Sequence, residues 1–331
     1  MRCLLHGRLF WQSAASATLE TRPLLLYYGA AAYAKALVIA FTGCQPGNLA
    51  QSHGLQCSAK NGEKIADFCI KAKGDGLFQQ FNNVVASQNR IRFFEGTSAR
   101  SKIVPSSSSD RLANLEVSLS DCFAHIPDLQ SVYELCTGRP SNVQHLHFDS
   151  DFQSKGGYGI RVDIPELFDN IESLQSLVSA VRDKVPFLKH WRLKEAVKAW
   201  DNSVFQFENI EPALDEFGFL AGDANHYRAS TPGEVFDPFE RLAPLAGGLG
   251  ASSAYIESIS GEQISEFSLM LASLLGLSNL VRYSPHIWTS CIYRQPIAGR
   301  PVDDELLPVI EKFLGNVTDR FPILVTNLLL S

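Results

Sequence analysis

The chain has 331 residues, 45% of them hydrophobic and 19% charged, with a formal net charge of −6. A chain of that length suits about two domains of roughly 150 residues each, and its apolar content excludes intrinsic disorder. The acidic balance excludes a protein held on nucleic acid by overall charge, so any such contact must be local.

The first residues, Met1 to Arg8, begin like a signal peptide, but His6 and Arg8 interrupt the apolar run, and export is not expected. The Ala-rich segment 11–20 predicts a short helix. Pro23, favoured in a first helical turn, and Gly43, a C-cap residue, bracket a second helix over 23–42 that packs antiparallel to it. This second helix is apolar nearly all round and approaches the length that spans a bilayer. Lys35 lies inside it, and its Ala, Gly and Tyr content lowers its hydrophobicity, so it reads as a buried core helix and no membrane association is expected.

Mixed period-2 character over 65–72, with the Gly74-Asp75-Gly76 turn separating it from Leu77, Phe78 and Phe81, predicts a small hairpin or extended lid. Gly96 and the run Ser106 to Ser109 mark 95–110 as a solvated loop. Helices follow at 111–124 and 128–137, then strands at 143–148 and 158–164, helices at 171–183 and 188–200, and a strand at 254–258. A long helix over 261–282 and two short ones, 303–314 and 319–330, complete the chain, with Pro301 and Pro322 at or near the starts of the last two. The fold class expected is α+β, predominantly α-helical. Residues 1–139 and 259–331 form a helical bundle, and 140–258 form a smaller mixed α/β middle subdomain.

Seven cysteines, widely spaced and without a CxxC, read as reduced thiols packed as small hydrophobes in a cytoplasmic protein. Neither a disulfide framework nor a zinc knuckle is expected.

Several pieces are recognisable together. Pro23-Leu24-Leu25-Leu26-Tyr27-Tyr28-Gly29, Lys35-Ala36, His53-Gly54-Leu55 and Gly76-Leu77-Phe78 occur early, and Leu280-Val281-Arg282-Tyr283, Pro285, Trp288, Phe313-Leu314 and Arg320-Phe321-Pro322 occur late. In this order and spacing they resemble the bacterial YaaC-like family, a likeness that covers the first and last thirds and implies no catalytic role. Tyr27-Tyr28, the Ala-rich run to Ala36 and His53-Gly54 are also similar to HEPN domains, helical modules of toxins and antiviral systems. Active HEPN ribonucleases carry Arg and, four to six residues on, His on one helix face. Here only three residues separate Arg282 from His286, and Pro285 disfavours helix at Ser284.

Four constellations carry candidate chemistry. Arg282 and His286 suit a metal-independent catalytic pair, His286 as general acid or base and Arg282 stabilising phosphate charge. The alternative is that Arg282 caps its helix while Tyr283, Pro285 and Trp288 pack the chain reversal. Lys35 and His53 are candidates for an anion pocket, with Tyr283 and Trp288 as further binding residues. His145, His147 and Asp149 alternate along a strand with donors suited to a divalent transition metal. Lys189 and Arg192 belong to a basic cluster with Trp191 and Trp200 that could contact nucleic-acid phosphates, but a solvated basic helix face, which needs no ligand, is the favoured reading. The glycines at 247, 248 and 250 lack the Lys-Ser/Thr ending of a phosphate loop.

The reading that follows is a cytoplasmic, non-enzymatic interaction or scaffold subunit without a cofactor, its partner a protein or a second copy, with RNA as a further candidate. The HEPN likeness suggests a toxin or phage-defence setting. The alternatives are a HEPN-like ribonuclease and a metal-dependent hydrolase or nuclease.

Overall fold

The computed structural model describes residues 2–58, 64–87, 89–95, 98–104, 112, 115–149, 159–163, 174–184, 191–199, 202–209, 245–247, 253–262, 264–296 and 304–329. The chain divides into two compact units. The first comprises 1–88, 108–142 and 258–331, and the second 89–107 and 143–257. The fold is α+β and predominantly helical.

In the first unit, α1 (Arg2–Ala15) packs against α2 (Arg22–Thr42). The helix α1 lies upstream of the expected 11–20, because its buried stripe is Gly7, Trp11 and Ala14, spaced i, i+4, i+7. Helix α2 matches its expected bounds, with Pro23 in the first turn and Gly43 donating its N–H to the Ile39 carbonyl. It buries Leu26, Tyr27, Ala30, Ala34, Leu37 and Val38. By length and composition α2 is apolar enough to cross a membrane, yet 56% of its most apolar window is buried within the protein. Its neighbours include α3 (Leu77–Ser87), α7 (Glu266–Tyr283) and α9 (Leu307–Leu329).

The strand character expected over 65–72 is β2 (Cys69–Ala72), but its hairpin partner is the upstream β1 (Leu55–Ser58) and helix α3 follows the Gly74 to Gly76 turn; β5 (Glu116–Ser118) adds to β2 to complete a three-stranded antiparallel sheet. The helix expected over 111–124 is therefore shorter. Residues 116–118 join the sheet, and Ser118 starts α4 (Leu119–Ala124) through a reciprocal capping box with Asp121. Helix α5 (Gln130–Thr137) follows and ends at Gly138. Beyond α7, Pro285 opens α8 (Pro285–Tyr293).

The two short terminal helices are in fact one, α9, with Pro322 inside it. Proline has no N–H to give the carbonyl four residues back, a loss that ordinarily kinks or ends a helix. Here that carbonyl belongs to Thr318, and the Trp11 indole N–H donates to it at 2.8 Å. The Thr318 hydroxyl in turn accepts from Arg22. Phe321 lies between the rings of Trp11 and Phe81, with centroids 5.9 and 6.1 Å away. Arg320, the next residue back, donates to both oxygens of Glu266 and, at 2.6 Å, to Asp128. All three side chains are nearly buried, 10%, 2% and 12% exposed.

The second unit holds a six-stranded antiparallel sheet in the order β10-β11-β6-β7-β9-β8. Its strands are β6 (Val143–Asp149), β7 (Gly159–Asp163), β8 (Trp191–Ala199), β9 (Asn202–Asn209), β10 (Leu245–Gly247) and β11 (Ser253–Ile256). The unit also holds a hairpin of β3 (Asn89–Glu95) and β4 (Ser98–Val104), and helix α6 (Leu174–Lys184). Two expectations are corrected here. Much of the loop placed at 95–110 is β4, paired along its whole length with β3. The helix placed at 188–200 is strand β8, whose pairing with β9 shifts register between Leu193 and Glu195. A bulge adds one residue and breaks strict alternation, so the strand loses its period-2 signature.

Candidate functional site

Within the first unit, three sequence-distant segments meet around the first turns of α2 and the end of α7. Tyr27 and Tyr28 come from α2, Arg282 and Tyr283 from the last turn of α7, and His53 from the loop before β1. The loop is held by its own backbone. The carbonyls of Ser52 and His53 accept from the N–H groups of Leu77 and Phe78 at 3.0 Å each, and Gly54 accepts from Lys73 at 2.9 Å. Residues 52 and 53 thereby satisfy two of the donors that the start of α3 leaves open. The approach is so close that a Cβ on Gly76, where φ is +115°, would fall 2.2 Å from the Gly54 Cα, and Gly54 itself has φ +75°. Only glycine fits both demands. This contact explains why His53-Gly54 and Gly76-Leu77-Phe78 occur as a pair.

The Tyr27 hydroxyl lies 2.6 Å from His53 Nδ1, and the rings meet edge to face with centroids 5.5 Å apart. Tyr27 is 2% exposed, and no other hydrogen bond of its hydroxyl occurs among the described residues. A buried phenol whose proton had no acceptor would carry a desolvation penalty, so the phenol donates and Nδ1 accepts. Burial holds the Tyr27 pKa well above the ordinary tyrosine value, and the opposing charge of Arg282 does not offset it. The phenol therefore keeps its proton. With Nδ1 occupied as an acceptor, the neutral imidazole carries its own proton on Nε2.

Arg282 lies against two aromatic rings, its guanidinium carbon 6.0 Å from the Tyr28 centroid and 4.9 Å from that of Tyr283. Its Nε donates to the Ser278 carbonyl at 3.3 Å, and Nη1 reaches the Tyr28 hydroxyl at 3.5 Å. Lys35 stands seven residues beyond Tyr28, two turns along the same side of α2. Partial desolvation first, then the charges of Arg282 and Lys35, hold the His53 pKa below its usual value. The arrangement is a set of donors for an anion: a guanidinium, an ammonium and an imidazole N–H. It holds no thiolate nucleophile, since burial pushes the neighbouring Cys57 thiol up to about 12.

Besides Tyr283, which belongs to this cluster, the sequence singled out His286, Trp288 and residues of the second unit. His286 is exposed in the first turn of α8, and the charge of Arg282 acts on the His53 imidazole. Trp288 is 1% exposed and donates its N–H to the Glu20 carbonyl at 3.1 Å, so it packs the reversal after α7. Tyr283 is 70% exposed. In the second unit, His145, His147 and Asp149 occupy alternate positions of β6, with His147 in register with Arg161 and Asp149 with Gly159. Among the described residues no group of three or more His, Cys, Asp or Glu is arranged to hold a metal ion. Arg192 lies on β8 in register with Glu208, and Lys189 lies outside the described residues. Gly247 ends β10 opposite Ser253, and the other glycines of that run are outside the described residues.

Two features escaped sequence reasoning. The Tyr27 to His53 bond joins segments 26 positions apart, and its only advance signal was the joint presence of Tyr27-Tyr28 and His53-Gly54. The triad of Arg320, Glu266 and Asp128 spans separations of 54 and 192 positions, with no local pattern to show it.

No curated protein matches the chain, and no solved structure matches it. The family model for the YaaC-like protein matches residues 1–329, and the chain belongs to that family.

Proposed function

We propose that this protein is a cytoplasmic, non-enzymatic interaction subunit, whose contact with its partner is made through an anion-accepting surface formed by Lys35, His53 and Arg282. The observation that carries the reading is the hydrogen bond between the Tyr27 phenol and His53 Nδ1. It leaves an N–H at Nε2, a donor, where a catalytic base would need a lone pair. The neighbouring groups are cations, and the nearby thiol and phenol are held protonated. Such a surface binds negative charge and offers nothing to accept a proton. A toxin or phage-defence assembly is the setting favoured, on the HEPN-like look of Tyr27-Tyr28 and His53-Gly54 alone.

One observation favours a second reading, a metal-independent ribonuclease. An imidazole and a guanidinium do come together, as His53 with Arg282. The test is incubation of labelled total RNA with wild type, His53→Ala and His286→Ala in EDTA. The interaction reading predicts intact RNA in every sample. Cleavage by wild type that His53→Ala abolishes would establish the ribonuclease and remove the interaction reading.

A further inference from the structure

We propose that the Lys35, His53 and Arg282 surface takes a single-stranded polynucleotide, with its backbone phosphates drawn to these three groups and a base on the exposed face of Tyr283. The inference rests on the interaction reading and supplies its ligand chemistry. Charge alone would serve an acidic peptide equally well. The aromatic groups decide between them: Arg282 is flanked by Tyr28 and Tyr283, and these rings are 36% and 70% exposed. Tyrosine rings are amphipathic and are enriched where a protein meets a ligand or partner. Here two of them frame a guanidinium on the surface, the pairing of stacking platform and cation that single-stranded nucleic-acid sites use. A peptide carboxylate needs the cation and leaves the rings idle.

Position supports the same ligand. Arg282 is anchored by its Nε to the Ser278 carbonyl and by Nη1 to the Tyr28 hydroxyl, so the guanidinium is held in place while Nη2 remains for a phosphate. The net charge of −6 confines the attraction to this local surface. Binding should therefore be modest and steep in salt.

The experiment is fluorescence anisotropy of the full chain with a labelled 12-nucleotide single-stranded RNA of mixed sequence and with its DNA counterpart, across a salt series. The RNA and DNA arms tell whether a 2′-hydroxyl contributes. Wild type should bind, with log affinity falling linearly against log salt. Arg282→Gln should weaken binding by roughly tenfold or more and flatten the slope by about 0.7. Tyr283→Ala, at an exposed position that leaves the core intact, should weaken it by at least about fivefold at unchanged slope. Lys71→Ala, a loss of one exposed positive charge outside the surface, should leave binding at the wild-type level. The proposal is overturned if wild type fails to bind at about 50 mM salt, a concentration at which phosphate contacts are strong. It is also overturned if Tyr283→Ala binds as wild type, or if polyglutamate competes as well as unlabelled oligonucleotide. Those results would leave the interaction reading standing with another ligand, whereas cleavage of the labelled RNA would end that reading itself.

Discussion

Trp11 donates its indole N–H to the Thr318 carbonyl, the group that Pro322 leaves without its helical donor, and so ties the first helix of the chain to the last. The pairing accounts for a 23-residue helix running through a proline. Trp11→Phe keeps a ring to pack against Phe321, removes the donor and also loses part of the indole's packing volume. The expected cost is about 1–3 kcal/mol, the penalty of an unsatisfied buried acceptor, read from the urea midpoint. Pro322→Ala restores a backbone N–H and should recover part of that loss in the Trp11→Phe background. Additive effects in the double-mutant cycle would show that the two residues do not share this carbonyl.

The buried triad predicts an unusual pH profile. Burial pushes the Glu266 carboxyl up to about 7, with the Arg320 charge opposing and the Asp128 charge adding to the rise. The folded protein thus holds a proton that the unfolded chain releases near 4.5. The stabilisation from this group is fully present below about 4.5 and is lost as the pH rises through about 7. Urea midpoints of wild type should fall across that window, and Glu266→Gln should flatten the fall. Parallel profiles for the two proteins would remove Glu266 as the source.

Arg320→Met addresses the same triad from the other side. It removes the guanidinium that donates to both Glu266 and Asp128 at a nearly buried site, and up to about 3–5 kcal/mol of destabilisation is expected. A loss below about 1 kcal/mol, the range of exposed pairs, would mean that solvent reaches the site.

The two glycines that hold the His53 loop should be far less replaceable than a glycine in open space. Gly43 has φ +65° with nothing within 4 Å of its would-be Cβ, so Gly43→Ala should cost about 1 kcal/mol, the backbone term alone. Gly76→Ala adds a backbone collision with Gly54 and should cost more than that, and it should also weaken binding at the anion surface by displacing His53. Equal thermal midpoints for the two variants would contradict the loop description.

Much of the first unit was legible because its signals are local. Pro23 and Gly43 mark α2, and the Gly74 to Gly76 turn separates β2 from α3. The second unit was harder, since the bulge between Leu193 and Glu195 disguised β8. The merging of the last two helices was hidden for a different reason. Pro322 is a breaker unless its orphaned carbonyl finds a donor, and that donor sits 307 positions away at Trp11. The site was half legible: Lys35, His53, Arg282 and Tyr283 were all candidates, but the effect of Arg282 on His53, across more than 200 positions, has no local pattern to show it.

The central claim is the protonation state of His53, and 15N NMR of the imidazole in the folded full chain reads it directly. The account predicts that at neutral pH the proton resides on Nε2, with Nδ1 accepting from Tyr27, and that the titration midpoint lies below the usual histidine value and rises when oligonucleotide is added. A proton on Nδ1, leaving a bare Nε2 beside Arg282, would contradict it and turn the surface into one equipped with a base.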